Sequence, residues 1–271
     1  MTYFATDFQN VDGAGAAQRF VQCLRLQQSL EFYRSYKQKT RDLLALKEGD
    51  CVLEVGCGTG EDAVALAREV GPSGQVFAVD LSTELLGVAR ETVMPSGLPV
   101  RLIQADARSL PFADSSLDGA RIDRTLQHIA EPLQVVAEMS RVVRSGAYVV
   151  AMDPDWETLT VDSNHKVLTR ILLNVWCDSF PSGGWIGRQL ARHFLQAGLV
   201  DIQIVPQTLV FNELELADQV LDLSRTAAAA GAAGRASTEE IEEWLEGLAE
   251  LDRRGQFFSS FTAFIVKGTK P

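Results

Sequence analysis

Between residues 50 and 152 the chain alternates short apolar runs with amphipathic stretches, five times in order, and this leaves few folds open. The apolar runs fall at 51–55, 76–79, 100–105, 119–122 and 148–152. Each is continuous rather than alternating, as expected of strands buried on both faces. Between them, Ala63, Val64, Ala67 and Val70 share one helical face, as do Leu85, Leu86, Ala89 and Val93. Leu133, Val136, Ala137, Ser140 and Val143 form a third such face, with Pro132 where a first helical turn tolerates it. Gly71-Pro72-Ser73-Gly74 breaks the chain, and Ser82 is placed to cap a helix. Five βα units in succession predict an α/β fold: a parallel, doubly wound sheet with right-handed crossovers and helices on both faces.

The flanks are less regular. Residues 1–46 read as an N-terminal helical cap, with Phe20, Leu24, Leu26, Leu30 and Tyr33 at roughly helical spacing. Residues 155–198 read as a lid insertion of two helices, with Gly183-Gly184 as the turn between them and Gly198 as a stop. A sixth strand is expected at 203–211. The Ala/Gly-rich stretch 227–236 reads as a mobile linker. Ser237 and Glu240 form a capping box for a helix with Ile241, Trp244, Leu245, Leu248 and Leu251 inward. The last strand is expected at 257–266.

The net charge of −11 and the lack of a Lys/Arg stripe disfavour a nucleic-acid partner. Cys23, Cys51, Cys57 and Cys177 form no CxxC pair and lie near no His at metal-ligand spacing, so neither a metal site nor a disulfide framework is expected. Residues 1–10 lack a basic segment followed by an apolar one, and no run of about 18 apolar residues occurs, so the expectation is a cytoplasmic protein without stable membrane insertion.

Chemistry concentrates at the carboxyl ends of the first three strands. Glu54-Val55-Gly56-Cys57-Gly58-Thr59-Gly60 lies between the first strand and its helix, where glycines admit a ligand to the backbone and the helix start offers free N–H groups. A dinucleotide fingerprint would place glycine where Glu61 stands, and that carboxylate suits a pyrophosphate badly. Asp80 closes the second strand and can accept from both hydroxyls of a ribose. The competing role of helix N-cap is already met by Ser82. Asp106, followed by Ala107, closes the third strand, where a carboxylate and the next N–H can meet an adenine. Acids at three adjacent strand ends suit a ligand with a sugar, a base and positive charge, and not a polyphosphate.

VLEVGCGTG (52–60), VFAVDLS (76–82), QADARSLPFADSSLDGA (104–120) and LQHI (126–129) together resemble the class I S-adenosylmethionine (SAM)-dependent methyltransferases, in particular the ubiquinone/menaquinone group. The resemblance covers about residues 45–155. It implies a Rossmann-like, seven-stranded, mostly parallel sheet whose last strand inserts antiparallel between the fifth and sixth, with residues 47–271 as the SAM-binding domain. It implies SAM as cofactor, with Gly56, Gly58 and Gly60 along the methionine part, Asp80 on the ribose, and Asp106 and Ala107 at the adenine. Asp123 and 126–128 would lie along the cofactor's other side. Glu54, Cys57 and Leu81 complete the expected cofactor set.

The acceptor is expected to be a small, aromatic or apolar metabolite methylated on O, N or C. Its pocket is expected beyond the fourth and fifth strands, walled by Tyr33, Tyr36, Trp156, Trp176, Phe180 and Trp185. The segment 153–158 looks like a subgroup active on specialised metabolites. Catalytic candidates are His128, His165 and Asp155. For His128 the alternative is a structural hydrogen bond at a helix start, and for Asp155 and its neighbour Glu157 it is helix capping. His193, between Arg192 and Phe194, reads as solvated. Two other classes stay open: a SAM-binding cyclase or binding module without methyl transfer, and an RNA or protein methyltransferase. A homo-oligomer is also possible, with the N-terminal helices capping their own site or a neighbour's.

Overall fold

The computed structural model describes Phe8, Val11, Asp12 and residues 17–271. Seven strands form one sheet: β1 (Cys51–Val55), β2 (Gln75–Asp80), β3 (Val100–Gln104), β4 (Leu117–Asp123), β5 (Val143–Val161), β6 (Val200–Phe211) and β7 (Ser259–Thr269). Their order is β3-β2-β1-β4-β5-β7-β6. The first five pair in parallel, and β7 runs antiparallel between β5 and β6. This is the Rossmann-like sheet with an inserted last strand.

Burial on both faces explains the continuous apolar strands. In β1, Val52 belongs to a core with α2 (Glu31–Leu44) and α3 (Glu61–Val70). Leu53 and Val55 belong to a second core with α5 (Pro132–Val142) and α7 (Ile186–Gln196). α4 (Thr83–Val93) is capped as expected, the Ser82 hydroxyl accepting from the Leu85 N–H at 3.0 Å.

Helices from three separate parts of the chain gather on the remaining side. α1 (Ala17–Ser29) packs on α2, α4 and α8 (Leu214–Leu221), while α9 (Leu223–Ala232) packs on α6 (Lys166–Asp178) and α10 (Thr238–Arg253). The Ser237–Glu240 capping box is present.

Four expectations are corrected. The chain from residue 155 is not yet lid, because β5 continues to Val161, with Asp153, Pro154 and Asp155 opposite Phe264, Ala263 and Thr262 of β7. The second helix of the expected insertion, α7, packs against β5, β6, β7 and α5 and is part of the sheet's own cover. Most of the stretch read as a linker is helix α9, whose Leu223, Thr226, Ala227 and Ala230 are buried. His193 is likewise buried rather than solvated, and burial, then the Arg192 charge, lowers its pKa.

Candidate functional site

At the carboxyl ends of β1, β2 and β4 lies a cavity of about 1120 Å³. This is the topological switch point of the sheet, where the strand order reverses and a crevice forms. One lobe is lined by Gly56, Gly58, Asp80, Leu81, Asp106, Ala107 and Asp123. The other is aromatic, with Phe32, Tyr33, Trp156, Trp176, Phe180 and Phe261.

The glycine-rich turn is held from β2. The N–H groups of Gly56 and Cys57 donate to the Val79 carbonyl at 2.8 and 2.9 Å. Gly58 N–H donates to Asp80 Oδ2 at 2.8 Å, and Ser82 N–H to Asp80 Oδ1 at 3.0 Å. Burial raises the Asp80 carboxyl while these amides pull it down. Gly56 has φ +69°, and a Cβ there would stand 2.2 Å from Thr125 Oγ1, so only glycine fits. Gly60, at φ +89°, starts α3 where a Cβ would stand 3.1 Å from Ala89. Asp12 reaches the same corner: its carboxylate accepts from the Ser82 hydroxyl and from Thr83 N–H and Oγ1 at 2.9 and 2.7 Å. Nothing in the local sequence signals this contact.

Of the expected cofactor residues, Glu54, Cys57 and Gly60 do not line the cavity. Cys57 is buried, with its thiol pKa raised by burial. Glu54 sits opposite Arg121 in the β1–β4 register, and the two form a buried ion pair. Burial raises the Glu54 carboxyl against the pull of Arg121. Arg121 also donates to Thr40 Oγ1 at 2.7 Å and to Asp123 Oδ2 at 3.1 Å. Lys37 bridges Asp62 and Asp123, and the Tyr36 hydroxyl donates to Asp123 at 3.2 Å. Burial raises Asp62 and Asp123, but the surrounding cations outweigh it and hold both below the ordinary range. This network fastens α2 beneath the cavity floor. Asp106 does line the cavity, but its carboxylate accepts from Arg108, which lowers its pKa.

The 3-10 turn Leu126–His128 forms the wall between the lobes and is built from β5. Asp153, fully buried, accepts from Leu126 and Gln127 N–H at 3.2 and 3.3 Å. Trp156 Nε1 donates to Gln127 Oε1 at 2.8 Å. His128 lines the cavity against the rings of Phe8 and Phe180, centroids 5.2 and 6.0 Å away, and its Nδ1 is buried without a hydrogen-bond partner among the described residues. Burial and then the Arg124 charge lower it to about 3, so the ring is neutral at neutral pH. Arg124, in left-handed conformation at φ +51°, lies 4.9 Å over the Tyr33 ring and donates to Gln27.

The other two catalytic candidates stand apart. Asp155 is buried but closed by Arg188, at 2.5 and 2.8 Å, and Glu157 meets the same guanidinium at 2.6 Å. His165 precedes α6, its carbonyl accepting from Thr169. Neither Asp155 nor His165 lines the cavity. Tyr36 and Trp185 also lie outside it: Tyr36 serves Asp123, and Trp185 lies 5.0 Å beneath the Arg188 guanidinium. No helix among the described residues is long and apolar enough to cross a membrane.

Residues 52–146 match the methyltransferase domain family. An uncharacterised 37.1 kDa protein of a Streptomyces fradiae transposon is 40% identical over 234 residues; the alignment spans 86% of this chain but only 66% of that protein's length. Demethylmenaquinone methyltransferase of Bacillus cytotoxicus is 30% identical over 195 residues, covering 66% of this chain and 82% of that enzyme. A phosphoethanolamine N-methyltransferase of Haemonchus contortus, solved with S-adenosylhomocysteine, shares the fold at a TM-score of 0.60 and 16% identity, over 100% of this chain and 61% of that one. A glycine-rich turn clamped by the acid of the next strand, on a sheet of this order, thus comes with relatives over most of the chain: it belongs to the class I SAM-dependent methyltransferases.

Proposed function

We propose that this chain methylates a small metabolite with an aromatic or apolar body, on O, N or C, holding SAM in the glycine–acid lobe and the acceptor in the aromatic lobe. The observation that carries this reading is one continuous cavity with those two unlike halves. Its volume of about 1120 Å³ exceeds the roughly 300–1,000 Å³ of a pocket for one drug-sized ligand, so it has room for two molecules.

The residues fit the cofactor. A left-handed glycine with no room for a side chain exposes backbone at the β1 tip, Asp80 presents a partly buried carboxylate, and Ala107 leaves space beside Asp106. When bound, SAM supplies an electrophilic methyl on a sulfonium. Gly56 and Gly58 admit its methionine portion, Asp80 with Leu81 its ribose, and Asp106 with Ala107 its adenine. Glu54, Cys57 and Gly60 act from behind, holding the turn's shape.

The chain's main contribution to rate is position, with donor and acceptor held at about 3–3.5 Å in line. The Asp153–Gln127–Trp156 hydrogen bonds fix the wall between the lobes, and the aromatic side excludes water, which favours a reaction that disperses charge. His128 replaces His165 and Asp155 as the candidate group at the acceptor: a neutral imidazole at neutral pH that accepts a hydrogen bond and orients the acceptor.

A cytoplasmic enzyme without a nucleic-acid partner is consistent with the acidic composition. Calorimetry with S-adenosylhomocysteine, followed by assay of its release from SAM with a metabolite extract, tests the reading. A normal binding isotherm with no release from any fraction would leave a SAM-binding protein without methyl transfer.

A further inference from the structure

Arg124 is a buried cation with no counter-ion of its own. It stands between Asp123, at the tip of β4, and Thr125, against which Gly56 packs, and it lines the cavity with 14% of its side-chain surface accessible. Among the described residues its guanidinium donates one hydrogen bond, from Nη1 to Gln27. The Nε–H is buried and meets no acceptor, Asp123 Oδ1 lying 3.9 Å away, outside hydrogen-bonding range. The Tyr33 ring beneath the guanidinium offsets part of the cost of burying the charge. The titratable groups around it are Tyr36, Tyr33, Asp123 and Cys23. Burial raises both phenols and the thiol, so all three are neutral at pH 7. His128, on the same turn, is neutral as well. Asp123 is already engaged: Lys37 and Arg121 each reach its Oδ2 at 3.1 Å, and the Tyr36 hydroxyl donates to it at 3.2 Å. Buried charges are ordinarily paired, and the fork of an arginine matches a carboxylate.

We propose that Arg124 receives the carboxylate of a bound ligand, which serves as its counter-ion. This deepens the methyl-transfer reading and rests on it. The residue stands where the two lobes meet: Thr125 closes on the glycine turn of the cofactor lobe, and Tyr33 belongs to the aromatic lobe. A carboxylate can therefore arrive from either side, as the methionine end of the cofactor or as the acid group of an aromatic acceptor. A single negative charge fits better than a phosphate dianion, because Asp80, Asp123, Asp218 and Asp222 line the same cavity. A planar pair of oxygens also makes the paired hydrogen bonds that a guanidinium offers and an ammonium does not.

The test is calorimetry on the full chain in two arms, each comparing an acid with its neutral amide. The cofactor arm titrates S-adenosylhomocysteine and its α-carboxamide. The acceptor arm titrates 1-naphthoate and 1-naphthamide into protein saturated with S-adenosylhomocysteine. The wild type should bind the acid about tenfold tighter than the amide in one arm, and that arm identifies the source of the carboxylate. Arg124→Gln should cut the preference to about twofold or less while leaving the amide isotherm unchanged. Arg124→Lys, which keeps the charge and loses the fork, should retain a preference of about threefold. No preference in either arm of the wild type, or one that stays near tenfold in both variants, would overturn the proposal. The two readings fail differently. If neither nucleoside binds to folded protein, the methyl-transfer reading falls and this one with it, whereas nucleoside binding with equal acid and amide isotherms in both arms removes this one alone.

Discussion

Single residues decide this site by what they cannot be. At Gly56 any Cβ would collide with Thr125 while the backbone stays left-handed, so Gly56→Ala must distort either the turn or the β4–α5 connection. The left-handed conformation alone costs an alanine about 1–2 kcal/mol. Expected outcomes are a stability loss of that order in urea and at least a tenfold weaker S-adenosylhomocysteine isotherm; unchanged affinity would show that the turn does not meet the cofactor. His128 gives a pH signature. Its folded pKa of about 3 lies below the ordinary 6.5, so the unfolded chain binds a proton that the folded chain refuses. The stabilisation is complete above about pH 6.5 and is lost as pH falls toward 3, with a slope approaching about 1.4 kcal/mol per unit. His128→Gln should therefore reduce the stability lost between pH 7 and 5 by roughly 1–2 kcal/mol, read from urea midpoints. Equal losses would mean that the ring is hydrated. The glycines and strand-end acids were legible in the sequence because each does something no other residue type does. The Asp12 cap was not, since its partners Ser82 and Thr83 lie 70 residues or more away in the chain.

The same division holds for elements. β1, β2 and β4 are plain in the sequence because each is a short, largely apolar run with buried residues in the middle of the sheet, and β3 because its apolar run continues the βα repeat at the sheet's edge. The overrun of β5 past Met152 is not, since Asp153-Pro154-Asp155 has the composition of a turn and becomes strand only because β7 pairs with it. That misreading put Asp155 in a loop beside the chemistry. In the fold it fastens α7 to β5, just where Gly187 passes so close that a Cβ would stand 2.7 Å from the Asp155 nitrogen. Arg188→Ala should accordingly destabilise the fold by about 1–3 kcal/mol, below the usual cost of breaking a buried pair because Arg188 is partly exposed. S-adenosylhomocysteine affinity should not change. A loss of turnover at unaltered stability would restore Asp155 to the reaction. On the other face, Thr40→Val keeps the shape of α2 but strands the Arg121 Nε–H, and should cost about 1–2 kcal/mol in chemical denaturation.

At the scale of the molecule, the sheet supplies one half of the cavity and the rest of the chain supplies the other. The cofactor lobe is made of strand ends in a parallel sheet, covered on one side by α5 and α7, and its shape is fixed by the core. The acceptor lobe is closed by α1, α6, α8 and α9, which pack on one another and on α2, α4 and α10, and meet the sheet at β5 and β6. Local stability follows contact density, so these helices should open more readily than the strands. A ligand that bridges the two halves must then tie the mobile one to the rigid one. Hydrogen exchange should show this as slower exchange in α1, the 126–128 turn and the α8–α9 joint when S-adenosylhomocysteine and an aromatic acceptor are both bound. Little change is expected in α5, α7 or β6, which touch neither lobe. With S-adenosylhomocysteine alone, protection should centre on 56–60 and 80–85, because that ligand reaches only the sheet half. Equal protection everywhere would instead describe a single cooperative body with one site, and the division of the cavity into donor and acceptor lobes would fall.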